Sequence, residues 1–548
     1  MKKYILLLLC LCFQFNKMQA QLSAGQLQVT TDKGIIEGFT DQENQVAQFL
    51  GVPFAQPPVG NLRWKAPQPT KTWQGIKETK AFGPAPMQIP VFGDMKSRGN
   101  GMSEDCLYLN IWTPLPQKKK NLPVLVYFYG GGFVAGDASE PRYDGTNFAK
   151  EGIVVVTVNY RLNVFGSLAH PALSKEAKYN ASGNYGLLDQ HAALVWVKNN
   201  IKQFGGDPDH ITIGGESAGS ISVSAQMASP LSKDLLFAAI GESGAAIHPT
   251  LAPVSLTEAE HIGKEFTDQL GLKSLEEMRG ISAEELLQLY GKSGKFGFPS
   301  VIDNYFLPNS LPEIFEAEKQ AQIPLLVGWN SAEIPGASLM KGKAFTKENY
   351  TQIIKELYPE NYERVLALYP VGDQAQIRKS ATDLASDRFI VYSTWKWFDL
   401  HRKNSDQQVY RYVFDKIRPP LKDKSKVAGL AGGTSEKKEE TATIPPKPIG
   451  AAHAAEIEYA FNNLATATEF EWSKEDKQVA QVMFSYFANF IKTANPNHDE
   501  LPTWPAVKAT AKSPIFINIG VETEAQKATT DDRYLFLDHA YRKEKSKK

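Results

Sequence analysis

Cysteine is nearly missing from this sequence: 548 residues contain three, Cys10, Cys12 and Cys106. The first two lie in an apolar N-terminal stretch, so Cys106 stands alone in the rest of the chain and a disulfide-stapled scaffold is excluded. Charge of one sign is missing too. Lys plus Arg and Asp plus Glu number 60 each, which gives no electrostatic reason to bind nucleic acid or another polyanion. Beyond Phe13 no apolar run approaches the length that spans a bilayer. The nine histidines and three cysteines form no cluster at metal-ligand spacing, so no metal and no cofactor are expected. No repeat divides the chain. What remains is ordinary globular composition, 42% hydrophobic and 22% charged, in a chain long enough to bury a large core.

The N-terminus reads as a secretory leader over residues 1–20. Lys2 and Lys3 supply the positive end, Ile5 to Phe13 the short apolar run, and Ala20 the small residue at the cut. The remainder, 21–548, is expected to be one domain, exported to the periplasm or secreted. Gln28 to Thr31 and Gly34 to Gly38 predict an opening hairpin. Val124 to Phe128 and Ile153 to Val158 are continuous apolar runs, suited to strands covered on both faces. Asp189 to Asn200 predicts an amphipathic helix. Strands alternating with helices imply an α/β fold with a doubly wound, mostly parallel sheet. Three Ser-x-x-Glu patterns, at Ser255/Glu258, Ser274/Glu277 and Ser282/Glu285, cap short helices inserted over the C-terminal edge of that sheet. From about 415 to 448 the chain is rich in Lys, Pro, Gly and Glu, which predicts a mobile loop.

The stretch that carries chemistry is Gly215-Glu216-Ser217-Ala218-Gly219, preceded by the β-branched Ile211 to Ile213 and followed by apolar residues at helical spacing. A serine on a sharp strand-to-helix turn is lifted clear of the sheet edge, and the flanking glycines are needed because any Cβ there meets the crossing backbone. Ser217 is the candidate nucleophile. A serine hydroxyl needs a base to take its proton and a third group to hold that base. In this topology the order is serine, acid, histidine, which leaves His401, His453, His498 and His539. Of these His453 lies among small residues, Gly450 to Ala455, that give an imidazole access to a crowded pocket. For the acid, Glu333 follows the apolar run Ile323 to Gly328, and Asp303 is the rival. Gly130, Gly131 and Gly132, after a buried strand, expose backbone N–H groups of the kind an oxyanion needs. Phe133, Trp329 and the stretch from Ser243 to Thr250 are candidate pocket residues.

These motifs together resemble the type-B carboxylesterases, the α/β-hydrolase family of cholinesterases and para-nitrobenzyl esterases. The resemblance runs from about Val29 to Pro505. It rests on Gly51 to Pro58, Glu104 to Asn110, Gly130 to Phe133, Asn159 to Arg161, Gly183 to Gln190, Phe204 to Pro208 and the Ser217 pentapeptide. It implies Ser217 as nucleophile, Glu333 as acid, His453 as base, and Gly131, Gly132 and Ala218 as oxyanion donors, in a hydrolase acting on a small-molecule ester through an acyl-enzyme. Glu216 looks like a buried carboxylate beside the nucleophile. Alternatives are a silent binding protein on the cholinesterase fold, and the same residues acting on amides or thioesters. Pro86 stands where the family has a cysteine partner for Cys106. Phe92 is the only aromatic between Met87 and Asp105, which speaks against a choline ester. Ile334 follows Glu333 where the family has glycine.

Overall fold

The computed structural model describes residues 27–93, 95–115, 121–429, 434–436 and 447–547. The expected leader lies outside them. Thirteen strands form the main sheet: β1 Leu27–Thr30, β2 Ile35–Asp41, β3 Val46–Pro53, β4 Ile76–Glu78, β5 Tyr108–Pro114, β6 Leu122–Phe128, β7 Val154–Val158, β8 Gly206–Glu216, β9 Ala238–Glu242, β10 Leu325–Asn330, β11 Val409–Phe414, β12 Ile515–Ile519 and β13 Glu524–Lys527. Their order in space is β1-β2-β3-β5-β7-β6-β8-β9-β10-β11-β12-β13, with β4 beside β2. From β7 through β12 every neighbour is parallel, and the pairs toward the two edges are antiparallel except β4, which lies parallel to β2. This is the α/β-hydrolase arrangement the sequence implies.

Composition explains the centre of the sheet. Every residue of β7, Val-Val-Val-Thr-Val, is buried, as a parallel strand with helices on both faces requires. The principal helices are α1 Tyr185–Asn200, α2 Ala218–Ala228, α3 Leu256–Gln269, α4 Leu275–Gly280, α5 Ala283–Lys292, α6 Gln374–Ser386, α7 Tyr392–Lys403 and α8 Lys474–Thr493. α2 is buried along its whole length, so its small residues (Ala, Gly, Ser) let it lie close to β8 and β9. α1 starts at Tyr185, four residues before the position expected, and it is not amphipathic. Asp189 and Gln190, polar on paper, are fully buried. Asp189 accepts from Arg161 Nε and Nη2 at 2.8 and 2.7 Å, and Gln190 donates to Ser222 at 2.9 Å. Paired polar groups count as interior ones, which a hydropathy pattern does not register.

The three capping serines behave as predicted. Ser255, Ser274 and Ser282 accept the N–H of Glu258, Glu277 and Glu285 at 3.2, 3.1 and 3.1 Å, starting α3, α4 and α5. These helices build a second apolar cluster from Phe266, Met278, Leu286 and Tyr290 against Trp64 and Phe165. In the 415–448 stretch, 430–433 and 437–446 lie outside the described residues. The described part carries a short hairpin, Lys426–Ala428 against Thr434–Glu436, and Leu421 packs with Ala467 and Phe470. Cys106 is buried and unpaired, and burial raises its thiol well above the usual range, which removes it as a nucleophile. No helix among the described residues is long and apolar enough to cross a membrane.

Candidate active site

β8 ends in Gly214-Gly215-Glu216, and Ser217 sits at the turn into α2 with φ 55° and ψ −120°. That left-handed φ is strained for serine. The surroundings hold it there. Ser217 N donates to Glu242 O on β9 at 2.8 Å. A Cβ on Gly219 would lie 2.0 Å from Phe128 O, and one on Gly215 2.5 Å from the Gly219 carbonyl carbon. The turn is therefore possible only with glycine at both flanks. The first helical bond runs from Ile221 N to Ser217 O, so the Ala218 N–H lies outside the ladder at the positive end of the α2 dipole.

The histidine and the acid arrive from two loops at the C-terminal ends of β10 and β11. His453 Nε2 is 2.9 Å from Ser217 Oγ, across 236 positions of sequence. His453 Nδ1 is 2.6 Å from Glu333 Oε2. The other Glu333 oxygen accepts from Ser243 Oγ at 2.6 Å and from Asn330 N at 2.7 Å. The two loops are laced together: His453 N donates to Glu333 O at 3.0 Å, Ala332 N to Ala451 O at 2.9 Å, Ala451 N to Ser331 Oγ at 2.9 Å and Asn330 Nδ2 to Ala452 O at 2.7 Å. Asp303, the rival acid, caps a turn elsewhere. Its Oδ1 accepts the N–H groups of Tyr305, Phe306 and Leu307, and Asn184 Nδ2 donates to its Oδ2 at 2.9 Å. His401 is buried and bonds Ile323 O.

Ser217 and His453 open onto a cavity of about 440 Å³ whose wall includes Gly131, Gly132, Phe92, Phe296, Phe389 and Leu251. Gly131 and Gly132 have φ of 111° and 64°, and Gly131 O accepts from both Val134 N and Ala135 N. A Cβ at Gly131 would fall 2.1 Å from Ala135 O, so only glycine permits this tight turn. The Phe389 ring stands edge-on to the His453 imidazole at 5.2 Å, carried by a one-turn π-helix, Asp387–Val391.

Two expected pocket residues point elsewhere. Trp329 is not on the cavity wall. Asn330 turns its side chain toward Ala452, so its neighbour Trp329 faces the opposite side of the strand, under the Arg411 guanidinium at 4.6 Å and beside Tyr534. Phe133 packs toward Tyr160 with centroids 6.4 Å apart and gives its carbonyl to Asn163 N at 2.7 Å. The stretch after Ser243 does reach the wall, through Pro249 and Thr250.

Sequence reasoning did not foresee the number of acids gathered here. Glu216, Glu242, Glu333 and Glu456 are all buried. Glu216 Oε1 is 3.4 Å from His453 Nε2 and has no hydrogen-bond partner. Burial pulls the His453 imidazole down, but Glu216 and then Glu333 outweigh it and lift it to about 9. Burial pushes the Glu216 carboxyl up to about 7 against the pull of His453 and Arg142. It pushes Glu456 up to about 8, with Glu216 and Glu333 adding to it. The recurrence of Gly-Glu-Ser, at Gly215 to Ser217 and again at Gly241 to Ser243, is the sequence signal that could have pointed to a second contributor. Such an arrangement can move a proton between a hydroxyl and an imidazole, and can hold the resulting cation against carboxylate.

Known proteins resemble this chain over most of its length. A model of the carboxylesterase family matches residues 25–537. Fumonisin B1 esterase of Sphingopyxis macrogoltabida is 34% identical over 505 residues, covering 89% of this chain and 85% of that protein. Para-nitrobenzyl esterase of Bacillus subtilis is 32% identical over 524 residues, covering 93% and 98%. Among solved structures, a PNB esterase superposes with TM-score 0.75 at 29% identity, covering 92% of this chain and 98% of the other. A Geobacillus stearothermophilus carboxylesterase does so with TM-score 0.75 at 30% identity and the same coverage.

Proposed function

The chain belongs to the carboxylesterase family and is a carboxylic ester hydrolase; from that premise we propose that it acts through an acyl-enzyme on Ser217. His453 Nε2 takes the Ser217 proton as Oγ attacks the ester carbonyl. The carbonyl π pair moves onto oxygen, and the N–H groups of Gly131, Gly132 and Ala218 receive the negative charge. Collapse breaks the C–O bond, and the alcohol leaves with the proton returned by His453. Water then repeats the sequence on the acyl group and frees the acid and Ser217. Glu333 keeps the imidazole in one tautomer and stabilises its cation. Each oxyanion donor contributes about 3 kcal/mol in the transition state.

The observation that carries this reading is the continuous chain of hydrogen bonds from Ser217 Oγ through His453 to Glu333 on the wall of a cavity. The lining is mostly apolar, with Phe92, Phe296, Phe389 and Ile390 beside Arg142 and Glu216, and fits aryl or alkyl esters. We further propose that residues 21–548 form the mature exported domain after removal of 1–20.

Ser217→Ala is expected to lower kcat/KM for p-nitrophenyl esters by about ten-thousand-fold or more with an unchanged circular dichroism spectrum. A fluorophosphonate should label the parent on Ser217 and leave the variant unlabelled. Turnover near the parent level in the folded variant would end the proposal.

A further inference from the structure

Between α6 and α7 the helix does not stop. Asp387–Val391 forms one π-turn, in which Tyr392 N donates to Asp387 O, five residues back rather than four. A single π-turn inside a helix is uncommon and tends to sit at functional sites. Here the surroundings hold it in place. The hydroxyls of Ser393 and Thr394 both donate to Ile390 O at 2.9 Å. Tyr369 gives its hydroxyl to Asp387 Oδ2 at 2.7 Å, and Arg388 Nη1 donates to the Tyr358 hydroxyl at 2.7 Å. The end of α6 just before it holds the acid loop: Ile334 N donates to Ser386 Oγ at 3.3 Å, and Gly336 N to Thr382 Oγ1 at 3.0 Å. One continuous helix thus braces the loop of Glu333 and brings Phe389 to His453.

His453 needs such a brace. Its bond from Nδ1 to Glu333 fixes an axis, not a plane, and leaves the imidazole able to turn. Across the ring, Nε2 faces two oxygens, Ser217 Oγ at 2.9 Å and Glu216 Oε1 at 3.4 Å. While the imidazole is neutral, its Nε2 lone pair is repelled by an ionised Glu216 and served by the Ser217 hydroxyl. Once the serine proton has moved, Nε2 carries an N–H, and a carboxylate is the stronger acceptor for it. A cation turned toward Glu216 cannot hand its proton to the departing alcohol. The Phe389 ring, 5.2 Å from the imidazole and at 79° to it, makes an edge-to-face contact that closes one direction of that rotation.

Resting on the acyl-enzyme reading above, we propose that Phe389 is a positioning residue: it holds the plane of the imidazolium so that the Nε2 proton stays aimed at the leaving alcohol rather than at Glu216. That proton passes to the alcohol oxygen as the C–O bond of the tetrahedral intermediate breaks, and His453 returns to neutral. The beneficiary is an alcohol too basic to depart as an anion. Phe389 therefore extends the substrate class of this site from activated aryl esters to alkyl esters.

The test compares the methyl and p-nitrophenyl esters of butyric acid at about pH 8, where the Glu216 carboxyl, lifted to about 7, is mainly ionised. Both esters give the same acyl-enzyme. p-Nitrophenolate is a stable anion that leaves without a proton, whereas methoxide needs the one on Nε2. Phe389→Ala is expected to lower kcat/KM for the methyl ester about tenfold more than for the p-nitrophenyl ester. Phe389→Leu, with bulk but no ring, should fall between, and Phe389→Tyr should keep the ratio within about twofold of the parent. In Glu216→Gln the competing carboxylate is gone, so adding Phe389→Ala should change the ratio by less than about threefold. Because each ratio is taken within one protein, a general loss of activity cancels. An equal loss on both esters would reduce Phe389 to a structural part, and a larger loss on the bulkier p-nitrophenyl ester would make it a pocket wall. Either result overturns the proposal, as does a methyl-ester loss undiminished in Glu216→Gln, a ratio not kept by Phe389→Tyr, or a parent that hydrolyses only the aryl ester. If the parent turns over neither ester and fluorophosphonate does not label Ser217, the hydrolase reading itself fails and takes this one with it.

Discussion

At the scale of single residues, the site is organised by groups that never meet a substrate. Glu333 can be one straight-line partner of His453 only because its other oxygen is held by Ser243 and by the Asn330 amide. Ser243 itself has φ 56°, a strained setting for a residue with only one hydroxyl to offer. Removing that donor leaves the carboxylate freer to rotate. Ser243→Ala is expected to lower kcat for p-nitrophenyl acetate about tenfold while KM changes little, since the lost bond is to a charged group that stabilises the imidazolium. A rise in KM with kcat untouched would place Ser243 in binding instead.

At the scale of elements, close approach decides which glycines matter. Gly219 lets α2 lie against β6, with Phe128 O 2.0 Å from the position of an added Cβ. Gly280, at the end of α4, has nothing within 4 Å. Gly219→Ala should cost more than about 3 kcal/mol in urea unfolding, and Gly280→Ala less than about 1 kcal/mol. This difference also marks what was legible in the sequence. The glycines around Ser217, the caps at Ser255, Ser274 and Ser282, and the buried runs of β6 and β7 are local patterns whose causes lie within a few residues. The pairing of Asp189 with Arg161 and the meeting of four glutamates depend on contacts across tens to hundreds of residues, which no window displays. Trp329 was misplaced for a related reason. Its nearness to Glu333 in sequence suggested the pocket, but strand alternation sends it to the other face. Glu333 over Asp303 came from family likeness, because both follow apolar runs and only the fold tells a positioned acid from a turn cap.

At the scale of the whole molecule, its buried titratable groups set stability against activity. Glu140, Glu216 and Asp387 are raised to about 7, Glu456 to about 8 and His453 to about 9, with burial the largest influence on each and, for His453 alone, opposing the net shift. Each binds its proton more tightly folded than unfolded. The stability each contributes is therefore present at low pH and lost as pH rises through its folded value. Between pH 7 and 9 all five act in one direction, so the melting temperature should rise as pH falls from 9 to 7. Hydrolysis needs the His453 imidazole neutral, so kcat/KM should still be climbing over that same interval. Parallel pH series of differential scanning calorimetry and initial rates check both. Curves that rise together would show that the carboxylates do not govern the imidazole.

The lacing between the Glu333 and His453 loops makes the covalent path between them dispensable once folding is complete. Main-chain and side-chain bonds join the two strips directly, whereas the polypeptide travels through 415–448 on its way from one to the other. A protease cut engineered between 437 and 446 should therefore give two fragments that co-elute under native conditions, separate only in denaturant, and keep most of their esterase rate.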